Sequence, residues 1–185
     1  MEDETLAFIV SFIAMLLIAL SYFFKKKSWL LLFQSLGIVF LILSYLFTAQ
    51  YFATVGLSVG LIRTLTFYAY EQRGKDIPIV APIGFSVLTV AVYFTINFGV
   101  LKNVQPLDIL YLGSLIGYAF AFYIKKIQIM RYVVLLPITL AILFNAFTHA
   151  PIFVVVSYSF ELGANVLAIF KYYIFDEQEK QAQTK

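Results

Sequence analysis

The sequence predicts an all-α integral membrane protein with seven transmembrane helices, and three observations support this fold class. Of the 185 residues, 62% are hydrophobic and only 12% are charged, whereas soluble domains are about 45–50% apolar. The apolar residues occur in blocks of about 20, the length at which a helix crosses a hydrocarbon core of about 30 Å. Runs such as residues 38–43 lack the period-two alternation of a membrane β-barrel, which is the other structure that can span lipid.

The apolar blocks give the boundaries of the seven spans. They are predicted at residues 5–24, 28–48, 51–70, 77–98, 107–124, 130–149 and 152–174. The links between them are too short to hold a soluble domain, so residues 1–175 are expected to form a single transmembrane domain. Residues 176–185 are polar, which predicts a frayed cytoplasmic tail.

The distribution of basic residues predicts the orientation in the membrane. Lysine and arginine occur in the first, third and fifth links and after the last span, at Lys25, Lys26, Lys27, Arg73, Lys75, Lys125, Lys126, Arg131, Lys171, Lys180 and Lys185. The opposite side has Lys102 alone. Because cytoplasmic loops carry an excess of Lys and Arg, the N-terminus is expected outside and the C-terminus in the cytoplasm.

An internal repeat is indicated when the sequence is shifted against itself. Residues 21–49 lie over residues 121–149 without a gap, and Gly37 meets Pro137; further along, Gly60 meets Gly163. This predicts two parallel three-helix repeats at about 5–70 and 107–174, joined by a linker helix at about 77–98. The alternative is a chance match between apolar helices.

Two charged residues lie near the middle of predicted spans. Arg63 is in the third span and Glu161 is in the seventh. Ionisable groups at this depth are costly and therefore indicate a functional site. One interpretation is that they flank a polar cavity in which Arg63 offers a planar donor fork to a solute. The other is a buried structural pair that binds nothing.

Four further polar residues are candidates for the wall of such a site. Asn165 and Ser157 lie one helical turn on either side of Glu161, so the three share a face that must look inward. Gln34 in the second span and Asn145 in the sixth are weaker candidates for solute contact. Hydrogen bonds between helices would also explain all four.

Several site types find no support in the sequence. Cysteine is absent, and His149, the single histidine, has no neighbouring carboxylate, so neither a metal nor a cofactor is expected. The sequence shows no nucleophile with an adjacent base, so an enzyme is not expected. Basic residues confined to short links do not suggest nucleic acid as a partner. A retinal protein would need a lysine deep in the last span, where Lys171 lies only near the end.

Two GxxxG pairs indicate places where helices approach closely. They are Gly56 with Gly60 and Gly113 with Gly117. Packing within the chain is the favoured interpretation, and a homo-oligomer formed through these faces is the alternative.

Short motifs resemble those of a known group of membrane proteins. The segment GLIRT at residues 60–64 resembles an arginine-threonine segment of the superfamily that contains the SWEET, PQ-loop and nicotinamide-riboside transporters. Met130 and Arg131 before the sixth span, and Asn165 followed by Lys171, add to the likeness. Within this superfamily the chain is most similar to the YgjV-type bacterial inner-membrane proteins.

The resemblance implies a three-plus-one-plus-three arrangement of helices in the bacterial inner membrane. The YgjV-type proteins imply no settled activity. The chain departs from the superfamily in lacking a Pro-Gln dipeptide, and Glu161 lies about one turn from the position of the usual acidic residue.

Two classes of function follow from these observations. The first is a small-solute transporter or facilitator of unknown substrate, with Arg63, Glu161, Asn165, Gln34 and Asn145 as candidate solute-binding residues. The second is a membrane interaction or regulatory protein that binds a partner helix and transports nothing. Open space around Arg63 and Glu161 would favour the first, and a dry, filled centre would favour the second.

Overall fold

The protein is a bundle of seven α-helices in the computed structural model, which describes residues 2–49, 51–101, 105–148 and 152–183. The helices are α1 (Glu2–Ser21), α2 (Lys27–Phe47), α3 (Tyr51–Gln72), α4 (Val80–Phe94), α5 (Asp108–Tyr123), α6 (Ile127–Phe147) and α7 (Ile152–Gln183). A π-helical segment, Thr95–Leu101, continues α4. The all-α class and the seven helices are therefore as predicted.

Within the part of the chain that the structure describes, four stretches are long and apolar enough to cross a membrane: Lys27–Phe47, Val80–Asn97, Ile127–Phe147 and Ile152–Tyr173. Two shorter apolar helices, Thr5–Ser21 and Asp108–Tyr123, accompany them. The shorter pair belongs to α1 and α5, which flank the most basic links of the chain. Their length is close to the lower limit of about 17 residues for a spanning helix.

Two segments differ from the sequence prediction. The fourth span is not one uniform helix, because the backbone changes to π-type hydrogen bonding at Thr95, and π segments occur mostly as short interruptions of this kind. The segment after the seventh span, predicted to be frayed, is instead helical as far as Gln183. Its composition explains this, since Glu, Gln, Lys and Ala are all strong helix formers.

The helices pack in an order that follows the chain. In the first half α2 lies between α1 and α3, and in the second half α6 lies between α5 and α7. The halves meet where α1 packs against α7 and where α3 packs against α5. Helix α4 packs against α3 and α5, so it lies beside the junction of the halves.

Helices α2 and α6 begin and end at positions that differ by 100 in sequence. Each follows a lysine in extended conformation, Lys26 with φ −92° and ψ 127° and Lys126 with φ −77° and ψ 112°. Each ends at a threonine with nearly the same backbone angles, Thr48 and Thr148. The buried positions also correspond; the shared set is 30, 31, 34, 37, 38, 41 and 45 in α2 and 130, 131, 134, 137, 138, 141 and 145 in α6.

Small residues allow the paired helices to come close. A Cβ added to Gly37 of α2 would collide with Ile18 of α1 and would lie 3.2 Å from the carbonyl oxygen of Ala14. In the second half the glycine is on the other helix, because a Cβ on Gly117 of α5 would lie 3.0 Å from Pro137 of α6. The close approach is thus kept with the glycine on α2 in one half and on α5 in the other.

The remaining glycines of the GxxxG pairs also face the interior of the chain. A Cβ on Gly56 would lie 2.7 Å from the Tyr111 hydroxyl, and one on Gly113 would lie 3.2 Å from Leu140. Gly60 faces the side chain of Arg63. Contacts within the chain thus account for these glycines, in agreement with the packing interpretation, and a homo-oligomer formed through the same faces stays a prediction.

Candidate functional site: a polar cavity inside the bundle

A cavity lies among α1, α2, α3, α5 and α7, where the two halves of the bundle meet. The space available to the centre of a water molecule is about 40 Å³, and one water needs about 10–15 Å³. The cavity therefore has room for a few water molecules or a very small solute. Its lining residues are Ile18, Gln34, Ile38, Leu41, Leu57, Gly60, Arg63, Ser114, Leu115, Tyr118, Phe122, Tyr158 and Glu161.

Arg63 forms the charged part of the wall on α3. The residue is only 4% exposed, and its Nη1 donates a hydrogen bond of 2.7 Å to the carbonyl oxygen of Leu115 on α5. The guanidinium carbon lies 5.7 Å from the centre of the Phe122 ring, within the range of a cation–π contact. Nε is buried without a hydrogen-bond partner, so the donor capacity of this side chain is only partly used.

Glu161 forms the opposite charged part of the wall on α7. It is 3% exposed and accepts hydrogen bonds from the Tyr22 hydroxyl at 2.7 Å and from the Tyr118 hydroxyl at 3.0 Å. Both bonds end on Oε1. Since Tyr22 follows α1 and Tyr118 belongs to α5, the carboxylate joins three helices from both halves of the bundle.

Arg63 and Glu161 line one cavity but do not form an ion pair with each other. The ion pairs within the described part of the chain join Lys27 to Glu71 and Lys125 to Asp76. The sequence prediction that both charges face one polar region agrees with this geometry. A direct structural pair, which was the competing interpretation, does not.

The other predicted site residues lie at different distances from the cavity. Gln34 lines it and donates from Nε2 to the Ser21 hydroxyl at 3.0 Å. Asn145 is buried but donates to the Ala141 carbonyl of its own helix, away from the lining set. Asn165 is also outside the lining set, and its Nδ2 donates to the Arg131 carbonyl oxygen on α6 at 2.8 Å. Solute binding by any of these residues remains a prediction.

The face of α7 that bears Glu161 looks inward, as predicted. Ser157 is 9% exposed and Asn165 is fully buried. The Ser157 hydroxyl donates to the Phe153 carbonyl oxygen at 2.8 Å, and the Oδ1 of Asn165 is buried without a hydrogen-bond partner. The polar face thus combines the Ser157 bond within α7, the Asn165 bond to α6 and the two tyrosine bonds to Glu161.

Arg131 is a central residue that the sequence analysis used as a basic residue near a link and as part of the family likeness, and did not place among the candidate site residues. It is fully buried, and its Nη2 donates to the carbonyl oxygens of Tyr22 and Phe24, each at 2.8 Å. Its guanidinium carbon lies 4.1 Å above the Tyr172 ring. Arg131 on α6 therefore fixes the link after α1 against α7, beside Tyr22, whose hydroxyl bonds Glu161.

Two ion pairs lie outside the cavity and differ in burial. Lys27 at the start of α2 contacts Glu71 at the end of α3 at 2.6 Å, with the lysine side chain 5% exposed. Lys125 and Asp76 are 2.8 Å apart on the surface. The hydrogen bond to Asp76 raises the pKa of the Lys125 ammonium. The buried pair ties α2 to α3, whereas screening by solvent leaves the exposed pair little effect on stability.

Among the described residues no group of three or more His, Cys, Asp and Glu side chains could hold a metal ion. His149, the histidine considered above, lies outside the residues that the structure describes.

The fold and the partly polar cavity define a helical membrane protein with a candidate site inside the bundle. The chain belongs to the Imp-YgjV family of bacterial inner membrane proteins, which it matches over residues 5–175. It is therefore an inner-membrane protein, as the resemblance of its short motifs implied. Comparison with curated proteins and with solved structures gave no match.

Proposed function

We propose that the protein is a small-solute transporter or facilitator whose solute occupies the cavity between Arg63 and Glu161. The observation that carries the proposal is an open, partly polar space where two buried charged side chains face inward without neutralising each other. Charges held inside a membrane protein are costly and mark solute or ion pathways. A purely structural role would favour a closed pair with no space beside it.

The proposed architecture is two parallel three-helix repeats with α4 as the linker. It is supported by the helix contacts, because α1–α2 and α2–α3 correspond to α5–α6 and α6–α7. The contacts between the halves correspond as well, since α1–α7 joins the first helix of one repeat to the third of the other, and α3–α5 does the same in reverse. Such a pattern is expected for a two-fold axis along the membrane normal, with the solute site between the repeats.

The orientation that we propose follows the basic links. An N-terminus outside and a C-terminus in the cytoplasm put the Lys27–Glu71 pair and the Arg131 cluster at the cytoplasmic end of the cavity. The solute would pass unchanged, because the polar groups of the wall are suited to binding and include no nucleophile beside a base.

The competing function is a membrane interaction protein that transports nothing. It requires a small-residue face open to a partner helix, yet Gly56, Gly113 and Gly117 already contact side chains of the same chain. It also does not account for the space around Arg63 and Glu161. The transporter proposal explains both features.

Uptake into vesicles tests the proposal. Purified protein is reconstituted into liposomes, a mixture of small polar metabolites is added outside, and the contents are measured by mass spectrometry after filtration. The matched variant is the double replacement Arg63→Leu with Glu161→Leu, which removes both charges and fills part of their space with apolar side chains. We expect one or a few solutes to enter wild-type vesicles and not vesicles that contain the double variant or no protein.

The folding of the double variant separates the two roles of the charges. Replacing both charges removes their desolvation cost but leaves the Tyr22 and Tyr118 hydroxyls and the Leu115 carbonyl without these partners, so we expect a folded protein with a melting temperature below that of the wild type. Absence of uptake of every solute by well-folded wild-type protein would contradict the transporter proposal. Equal uptake by wild type and double variant would show that the cavity is not the path.

A further inference from the structure

We infer that the cavity selects a small zwitterion, with a carboxylate bound by Arg63 and an ammonium group bound by Glu161. This inference rests on the proposed function and specifies its substrate class. It follows from the donor capacity that Arg63 leaves unused, from the position of both side chains on the wall of one cavity, and from the size and lining of that cavity.

Arg63 has one donor edge without a hydrogen-bond partner in the chain, and Nε on this edge is itself buried. The Leu115 carbonyl engages Nη1, Nε is buried without a partner, and none of the hydrogen bonds among the described residues starts from Nη2. Nε–H and the adjacent Nη2–H point in the same direction, and such a pair binds the two oxygens of a carboxylate together. The Leu115 carbonyl thereby fixes the plane of the guanidinium and leaves the two-pronged edge for a ligand.

Glu161 provides the complementary acceptor. The two tyrosine hydroxyls both donate to Oε1, which holds the carboxylate in one orientation on the wall of the cavity. A positively charged hydrogen-bond donor, such as an ammonium group, complements a carboxylate oxygen in a site shielded from water. Because Arg63 and Glu161 are not paired with each other, one solute can satisfy both at its two ends.

The size and lining of the cavity limit the solute further. About 40 Å³ of space for the centre of a water molecule suits a solute of a few heavy atoms. Most of the remaining wall is apolar or aromatic, including Phe122 and Tyr158. A solute with a net charge would leave one charged wall group unmatched in a site of low dielectric, which is costly. A zwitterion carries no net charge and matches both.

Thermal unfolding of the purified protein in detergent with a graded probe series tests this inference. The zwitterionic probes are glycine, β-alanine and γ-aminobutyrate, which separate the two charges by increasing lengths. Propionate carries the carboxylate alone, propylamine carries the ammonium alone, and glycerol and ribose carry neither. We expect a saturable rise in melting temperature for at least one zwitterion, since a ligand at 100 times its Kd raises the folded-to-unfolded ratio about 100-fold.

Arg63→Lys tests the two-pronged edge. It retains the positive charge and loses the parallel donor pair, so the affinity for the best zwitterion should fall about tenfold or more, as expected for the loss of one charge-assisted hydrogen bond. Arg73→Lys is the matched control, because Arg73 is exposed and lies outside the cavity lining. It should leave the affinity unchanged.

Gly60→Val tests the site without changing a charge. A Cβ at Gly60 would lie 3.8 Å from Nη2 of Arg63, so the Cβ itself fits, while the added methyl groups would occupy space beside the donor edge. Gly163→Val is the matched control in α7, where an added Cβ meets nothing within 4 Å. Loss of the zwitterion-dependent shift in Gly60→Val, but not in Gly163→Val, is the expected result.

The outcomes separate this inference from the proposed function. If propionate stabilises the protein as well as any zwitterion, or if ribose or glycerol stabilises it and enters vesicles while zwitterions do neither, the zwitterion inference is wrong and the transporter proposal stands. An Arg63→Lys variant that binds the zwitterion with wild-type affinity also overturns the inference. If no probe binds and no metabolite of the mixture enters vesicles, both are overturned.

Discussion

Replacing Arg131 with methionine should destabilise the protein more than other single changes at the same end of the helix bundle. Methionine is long and apolar and fills much of the same space, so the effect reports mainly the loss of the polar contacts of Arg131. The change removes the donor to the carbonyl oxygens of Tyr22 and Phe24, both 2.8 Å from Nη2. It also removes the cation that lies 4.1 Å above the Tyr172 ring.

The magnitude follows from two opposing effects. Each buried carbonyl left without a donor costs about 1–3 kcal/mol, and a desolvated cation–π contact is worth about 2 kcal/mol. Against this, a buried guanidinium carries a desolvation penalty that methionine does not. The two carbonyls lie in the link after α1 and lose their donor entirely, so the polar loss should exceed the relief. We expect a net loss of about 2–4 kcal/mol, within the range known for breaking buried polar networks.

The assay is equilibrium unfolding in mixed micelles. The concentration of a denaturing detergent is varied, and the free energy of unfolding is measured. Arg131→Lys is the matched variant, since one ammonium can reach a single carbonyl and should lose less than methionine. Tyr172→Phe keeps the ring under the cation and removes the hydroxyl that donates to the Phe23 carbonyl. A free energy for Arg131→Met within about 1 kcal/mol of the wild type would refute the reasoning, because exposed substitutions already give effects of about 0.5 kcal/mol.

Three further changes test other parts of the structure. Gly37→Ala should destabilise the protein by about 1–3 kcal/mol in the same unfolding assay, because the added Cβ collides with α1. Gly163→Ala, where the added Cβ meets nothing within 4 Å, should be neutral or stabilising because alanine favours a helix. Equal effects of the two changes would contradict the packing of α2 against α1. Tyr22→Phe and Tyr118→Phe should each lower the free energy of unfolding by about 1–3 kcal/mol. The double variant should lower it by more than the sum, because the buried Glu161 carboxylate then loses both donors. Strictly additive effects would argue against a shared acceptor. Reporter fusions at the C-terminus and at residue 50 should read cytoplasmic and external, respectively, and a cytoplasmic reading at residue 50 would contradict the orientation.

The sequence was sufficient to predict most of the fold because the bilayer limits the alternatives. A block of about 20 apolar residues has few options other than a spanning helix, so the predicted boundaries of α2 and α3 agree with the structure to within two residues. The π segment after α4 was missed, because the apolar block containing Thr95 and Gly99 has the same hydropathy in either type of helix. The helical end of α7 was missed because polarity was taken as a sign of fraying, although its residues favour a helix.

The site could be predicted only where a charge stood in an apolar block. Arg63 and Glu161 were found in this way, and both line the cavity. Tyr22 and Tyr118 were missed, since tyrosine is frequent throughout the chain and its hydroxyl partners depend on how α1, α5 and α7 pack. The role of Arg131 was missed because a basic residue beside a link has the sequence signature of an orientation signal, whether it is exposed or buried.

The two halves share their apolar pattern and differ in their polar residues, and this difference bears on how a solute would be held. With the shift that brings Gly60 over Gly163, Arg63 corresponds to Val166 and Glu161 corresponds to Ser58. The corresponding buried positions of α2 and α6 preserve the packing in both halves, while each charge is present in one half only. In the repeat arrangement that we propose, the cavity between the repeats therefore has two different ends, so a solute with two different polar ends has a single favourable orientation in it, whereas a uniformly polar solute does not.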